Sequence, residues 1–143
     1  MIRPILISLA LLLGSAIPAQ GSKDPCAWLV PHLKRYGLPE KEFLYIAKRE
    51  SGCNPKAINA KFDKHGNVIW TLNKNKTIDR GLLQINSIHQ PTVKQICKGG
   101  LDLLLTIDCN LKVGSYLYKR YGLVPWKMVI SPKPSSSQSQ SDE

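Results

Sequence analysis

The segment Phe43-Leu44-Tyr45-Ile46-Ala47-Lys48-Arg49-Glu50-Ser51-Gly52-Cys53 carries an apolar stripe that ends on an acid. Phe43, Ile46 and Ala47 recur at three-and-four spacing, the period of one helix face, and Glu50 falls on the same line. Pro39 suits the first turn of this helix and Gly52 its stop, which predicts a helix to about Ser51. Lys48 and Arg49 project off the stripe, so neither is expected to neutralise the carboxylate. Burial and the negative end of the helix dipole at Ser51-Gly52 both favour a carboxyl that keeps its proton. A carboxylic acid in that form is what general-acid cleavage of a glycosidic bond requires.

Toward the N-terminus, Cys26, Leu29, Val30, Leu33 and Tyr36 predict a first helix stopped by Gly37. The connection to the next helix is short, so the two run antiparallel. That brings Cys26 to the end carrying Cys53, and predicts a Cys26–Cys53 disulfide with Cys97–Cys109 left as the second pair. Zinc is not expected, because no two cysteines lie two to four residues apart and no closely spaced histidine pair exists. The expectation is therefore no metal and no cofactor.

Disulfides need an oxidising compartment, and the start of the chain supplies the route. Residues 1–19 combine Arg3, a run from Ile5 to Ile17 that is nearly all apolar, and a small-residue end, Ser15-Ala16-Ile17-Pro18-Ala19. This reads as a secretory signal peptide, since the run is shorter than the ~20 residues needed to span a bilayer. A periplasmic or secreted protein follows, one not integral to the membrane after cleavage. Of 143 residues, about 124 then remain for a single domain, predicted over 23–130. Lys and Arg number 20 against 10 Asp and Glu, a net charge of +10 that favours an acidic partner.

Toward the C-terminus, Phe62, Val68, Ile69, Trp70, Thr71, Leu72 and Ile78 have strand character between turn-forming runs, and predict a small two- or three-stranded hairpin. Pro91 opens a further helix through Cys97, closed by Gly99-Gly100, and Leu101–Leu105 reads as a short helical turn. Asp108 is the expected cap of a last helix ending at Gly122. Residues 131–143, rich in Ser, Pro and Gln, read as a disordered polar tail. The fold class is α+β, mainly α, with a small β-hairpin insertion and two disulfide staples.

The segments Glu50-Ser51-Gly52-Cys53-Asn54-Pro55 and Asp79-Arg80-Gly81-Leu82-Leu83-Gln84-Ile85-Asn86 resemble the two signatures of the lysozyme-like peptidoglycan lytic transglycosylases. A third, Asp108-Cys109-Asn110-Leu111-Lys112-Val113-Gly114-Ser115-Tyr116-Leu117, is similar to the helix that follows them, where Gly114 would permit close helix packing. The likeness covers roughly Cys26 to Trp126, most closely the small enzymes of conjugation, secretion and phage-entry machines. It implies a lysozyme-like fold that cleaves the β-1,4 bond between N-acetylmuramic acid and N-acetylglucosamine.

It also implies residue roles. Glu50 matches the catalytic acid and base, Ser51 the hydroxyl that orients it, and Gln84 the glutamine lining the sugar cleft. Gly81 would let backbone approach the cleft, Asn86 could bond substrate or cap, and Trp70 could stack on a sugar face. Asp79 separates two chemistries. In the transglycosylases the muramic acid C6 hydroxyl attacks and leaves a 1,6-anhydro end; in animal-type lysozymes the acid at the Asp79 position is a second carboxylate and water is used. The family's Ala-Tyr-Asn-Ala-Gly-type motif after Trp126 is absent, which leaves Tyr116 or Tyr118 as the candidate to close the cleft.

Two further classes compete with a wall-cleaving enzyme. One is a lysozyme-like module that binds glycan without cutting it. The other, a basic nucleic-acid or membrane binder, would need Arg clustered with aromatics; the lysines here are dispersed, and no nucleic-acid partner is expected. Peptidoglycan strands are the expected partner, alongside components of a secretion or conjugation apparatus.

Overall fold

The computed structural model describes residues 23–127; the signal-peptide and polar-tail readings lie outside the described residues. The chain enters through a 3-10 turn, Ala27–Leu29, into helix α1, Val30–Arg35, followed by α2, Glu40–Ser51. Pro39 caps α2 from outside rather than occupying its first turn, and Glu40 and Glu42 complement the dipole there. Gly52, at φ 59°, turns the chain sharply: its N–H bonds the Lys48 carbonyl, and that of Cys53 bonds Ala47. This turn brings Cys53 back to Cys26, and the predicted disulfide is present with Cα atoms 5.7 Å apart.

The β region is divided. Strands β1, Ala60–Phe62, and β2, Val68–Thr71, form one antiparallel pair; β3, Asp79–Arg80, and β4, Ile85–Asn86, form another. Asn59 joins the two pairs, accepting a backbone bond from Leu72 and donating one to Asp79. The single hairpin expected from strand propensity becomes two because Gly81 and Gln84, both at positive φ, make a tight turn of their own between β3 and β4.

Helix α3, Gln90–Cys97, begins one residue before the expected Pro91, which lies in its first turn, and is closed by Lys98 in the left-handed region, one residue before the glycines. After the 3-10 turn Leu101–Leu105, helix α4 runs from Ile107 to Tyr121. Its cap is Thr106, whose Oγ1 accepts the Cys109 N–H at 3.3 Å; Asp108 lies inside the first turn and bonds Lys112 and Tyr36 instead. Cys97–Cys109 ties α3 to α4.

The core is one cluster drawn from every helix and from the β3–β4 turn. Leu29, Leu33, Phe43, Ile46, Leu82, Leu83, Leu104 and Leu111 are fully buried, each contributing about 1.5–3 kcal/mol by transfer from water. Trp126 meets Phe43 edge to face at 5.1 Å between centroids. Gly114 makes room for the side chain of Leu83, not for another helix, so its packing role serves the β3–β4 turn.

Candidate active site

Asn110 shows how that turn is held. It is fully buried on α4, yet its Nδ2 donates to the carbonyls of Arg80 at 2.9 Å and Leu104 at 2.8 Å, and its Oδ1 accepts the Leu83 N–H at 3.0 Å. A buried amide with every contact used costs little and fixes the turn to the helix. Gly81 belongs to the same joint. A Cβ there would overlap the Leu104 carbonyl and the Asn110 amide, so the glycine clears space toward α4 rather than toward a cleft, as the resemblance had implied.

Between the end of α2, the β region and the segment after α4 lies a cavity of about 820 Å³. Arg49 and Glu50 line it from α2; Asn73, Lys74, Thr77, Asp79, Gln84, Asn86 and His89 from the opposite side; and Leu117, Trp126 and Lys127 from the C-terminal part. Glu50 is therefore brought together with Asp79, Gln84 and Asn86. The apolar stripe runs past the core at Ala47, so its last member meets the cavity instead of the interior.

The Glu50 side chain is 28% exposed and does have a cationic partner. Arg49 Nε and Nη2 donate to Glu50 Oε1 at 2.8 and 2.5 Å, which corrects the expectation that Arg49 points elsewhere. Helical spacing describes where Cβ points; it does not constrain a long guanidinium chain that folds back across the last turn. Arg49 Nη2 also donates to the Trp126 carbonyl at 2.5 Å, tying the acid to the far end of the domain.

Ser51 Oγ lies 2.8 Å from the Leu82 carbonyl and 3.0 Å from that of Ala47. It joins α2 to the β3–β4 turn and so positions Glu50 through the backbone rather than through the carboxylate. Gln84, at φ 48°, spends its amide on the carbonyls of Ala57 at 3.1 Å and Gly81 at 3.0 Å while lining the cavity. Asn86 does two things: its Oδ1 caps the following 3-10 turn at Ile88, and its Nδ2 donates to Asp79 Oδ1 at 2.7 Å.

Asp79 sits in a ring of amides. Asn59 and Asn73 donate to Oδ2 at 2.6 and 2.9 Å, opposite the Asn86 bond, and the Asp79 N–H donates to Asn59 Oδ1 at 2.7 Å. No guanidinium takes part. Arg80, next along the strand, is buried and directed toward Asp102, 4.0 Å away. Asn59 and Asn73 escaped the sequence reading; the available signal was asparagine beside strands, where it is disfavoured unless its amide has work to do.

His89, also unassigned from sequence, is half-buried on the cavity, and burial lowers its pKa below the usual 6.5. Trp70 stands on β2, half exposed and outside the cavity lining. Neither tyrosine candidate closes the cavity. Tyr118 packs edge to face on Phe43, and Tyr116 lines a separate depression between α1 and α4. Trp126 reaches the site instead, its indole N–H donating to the Leu83 carbonyl at 2.9 Å.

The family model of the transglycosylase SLT domain matches residues 31–131. The chain belongs to the SLT family. Membership points in general terms to peptidoglycan lytic transglycosylase activity, a glycosidase-type chemistry on wall glycan. SLT membership and two disulfides together indicate work outside the cytoplasm. Among the described residues no helix is long and apolar enough to cross a membrane. No curated protein matches this SLT chain.

Proposed function

We propose that this protein cleaves the β-1,4 bond between N-acetylmuramic acid and N-acetylglucosamine and leaves 1,6-anhydromuramic ends, opening the wall locally for an envelope-spanning machine. The observation that carries the reading is the position of Glu50: a partly shielded carboxyl lining a cavity of about 820 Å³ together with Asp79, Gln84 and Asn86. In this mechanism Glu50 protonates the leaving glycosidic oxygen, then takes the proton of the C6 hydroxyl as that oxygen attacks the anomeric carbon. One side chain serves both steps, and no water is consumed. Gln84 and Asn86 line the sugar path, and Arg49 holds Glu50 against the cavity wall between turnovers. The signal peptide at 1–19 delivers the protein to the periplasm or beyond.

One observation favours a second reading. Asp79 lines the same cavity and is held by neutral amides, so its charge has no counter-ion. An ionised carboxylate there would support a water-using, lysozyme-type cleavage. Mass spectrometry of fragments released from purified peptidoglycan distinguishes the two: 1,6-anhydro ends support the first reading and reducing ends the second. Binding without any released fragment would make the protein a glycan-binding module and overturn both.

A further inference from the structure

The β1–β2 hairpin is apolar in a way the core does not explain. Ile69 is 66% exposed and Trp70 50%, with Val68 and Phe62 also exposed. A strand lying on a domain would alternate between covered and open residues; Val68, Ile69 and Trp70 are open in succession. Trp70 pairs with Lys61 and Val68 with Phe62, so Ile69 is the extra residue of a β-bulge. Exposed apolar area of this kind marks a contact surface.

Its surroundings select the occupant. Lys61, Lys64, Lys74 and Lys76 flank the patch, and among the described residues no carboxylate lies within 4.0 Å of any of them, so their charge is free to face a partner. The one acid in the hairpin, Asp63, is turned inward: its carboxylate accepts from the backbone of His65 and Asn67 and from the Asn67 amide. A bulge and flanking lysines are features that resist the addition of another strand. A second copy or an extended peptide is thus a poor fit. A fluid anionic surface needs no register; it accepts Trp and branched aliphatic side chains at headgroup depth while lysines reach the charged lipid heads.

We propose that the β1–β2 hairpin docks this protein on an anionic bilayer surface, with Val68, Ile69 and Trp70 in the headgroup layer and Lys64 and Lys76 on lipid phosphates. Val68, Ile69 and Trp70 lie outside the cavity lining, while Leu72 and Lys74, just beyond the hairpin, belong to it.

Co-sedimentation with phosphatidylethanolamine–phosphatidylglycerol vesicles, and with pure phosphatidylcholine vesicles, tests this. The parent is expected to bind the anionic vesicles and scarcely the neutral ones. Val68→Ser with Ile69→Ser leaves net charge unchanged and is expected to weaken binding at least about tenfold, since binding scales with inserted apolar area as well as charge. Lys64→Gln with Lys76→Gln is expected to weaken it several-fold, with less sensitivity to added salt. A blue shift of tryptophan emission on vesicle addition, lost in Trp70→Phe, reports insertion in a chain with an otherwise intact hairpin. Wall clearance without vesicles should be unchanged in the serine variant. Parent-like vesicle binding by the serine variant would show mere charge attraction and overturn the proposal. So would loss of wall binding with vesicle binding intact, or a concentration-dependent dimer that the serine variant abolishes.

Discussion

Glu50 and Asp79 reach one cavity from two walls built on different physics. The Glu50 wall is a helix with an apolar stripe, a left-handed glycine stop and a disulfide behind it. The Asp79 wall is two short strands held in place by the amides of Asn59, Asn73 and Asn86. The first is maintained by burial, which tolerates exchange among similar apolar groups. The second is maintained by directed hydrogen bonds, which do not. Chemistry that must place a proton within hydrogen-bond reach is expected to depend on the first wall, and fine control of charge and shape on the second.

The sharpest way to break this comparison is Glu50→Gln. The amide keeps the shape and an oxygen for Arg49 but can neither give nor take the required proton. Wall clearance is expected to fall by about 10²–10⁴ while thermal unfolding changes by little more than ~1 kcal/mol. A folded variant that clears wall at close to the parent rate would remove Glu50 from the mechanism.

The staples come next. By loop closure, replacing Cys26 and Cys53 with Ser should cost about 3.5 kcal/mol for a separation of 27 residues, and replacing Cys97 and Cys109 about 3 kcal/mol for 12. Thermal unfolding gives the two costs, and clearance of wall at low temperature separates them further. Only the first pair holds the helix end that presents Glu50, so only its loss should reduce the rate of molecules still folded. Equal rate losses from both pairs would mean that the disulfides act on global stability alone.

Legibility follows the same division. The helices and the Glu50 position were readable because periodicity and the Gly52 stop act over a few residues, and the disulfides because two antiparallel helices joined by a short turn bring Cys26 to Cys53 and leave one pair over. What was missed depends on side-chain rotamers and on how the β region divides, which neither periodicity nor spacing encodes. Arg49 folding back on Glu50 is a rotamer choice that helical spacing leaves open. The amide ring on Asp79 unites Asn59, Asn73 and Asn86 through a split in the β region, and Asn110 clamps a turn some thirty positions upstream. Thr106 rather than Asp108 is the cap because the helix begins at Ile107, which leaves Asp108 inside the first turn, where it bonds Lys112 and Tyr36.

Asp79→Asn probes the second wall and carries a smaller expected effect. Under the anhydro mechanism the substitution removes a charge that is not required, and clearance should fall by less than about tenfold with anhydro ends retained. Collapse of activity together with reducing ends in the parent would transfer the protein to the water-using reading. Asn73→Ala is the companion measurement. It removes one donor from Oδ2 and leaves the Asn59 and Asn86 bonds, so a loss matching that of Asp79→Asn would indicate that the precise pose of the carboxylate matters.

The smallest effect belongs to His89, on the rim between the two walls. Burial lowers its pKa from 6.5, and its place just before α3 adds the positive end of a helix dipole. A histidine with a lowered folded-state value binds its proton more readily when unfolded, so stability rises with pH across the interval between the two values. Its contribution is fully present above about 6.5 and is lost as pH falls from there through the lower, folded value. The carboxylates of Asp24, Asp63 and Asp108 are also held below their usual 3.8, by Lys48, by the Asn67 amide and by Lys112 respectively. Their contributions disappear only at still lower pH, below 3.8, which keeps the two windows apart. The melting temperature of the parent should therefore decline on acidification below 6.5, and His89→Gln, which cannot take up the proton, should flatten that decline while leaving the fall below 3.8 in place. Parallel curves for the two proteins between pH 7 and pH 5 would show that His89 titrates without cost and that the cavity rim is open enough to solvate its charge.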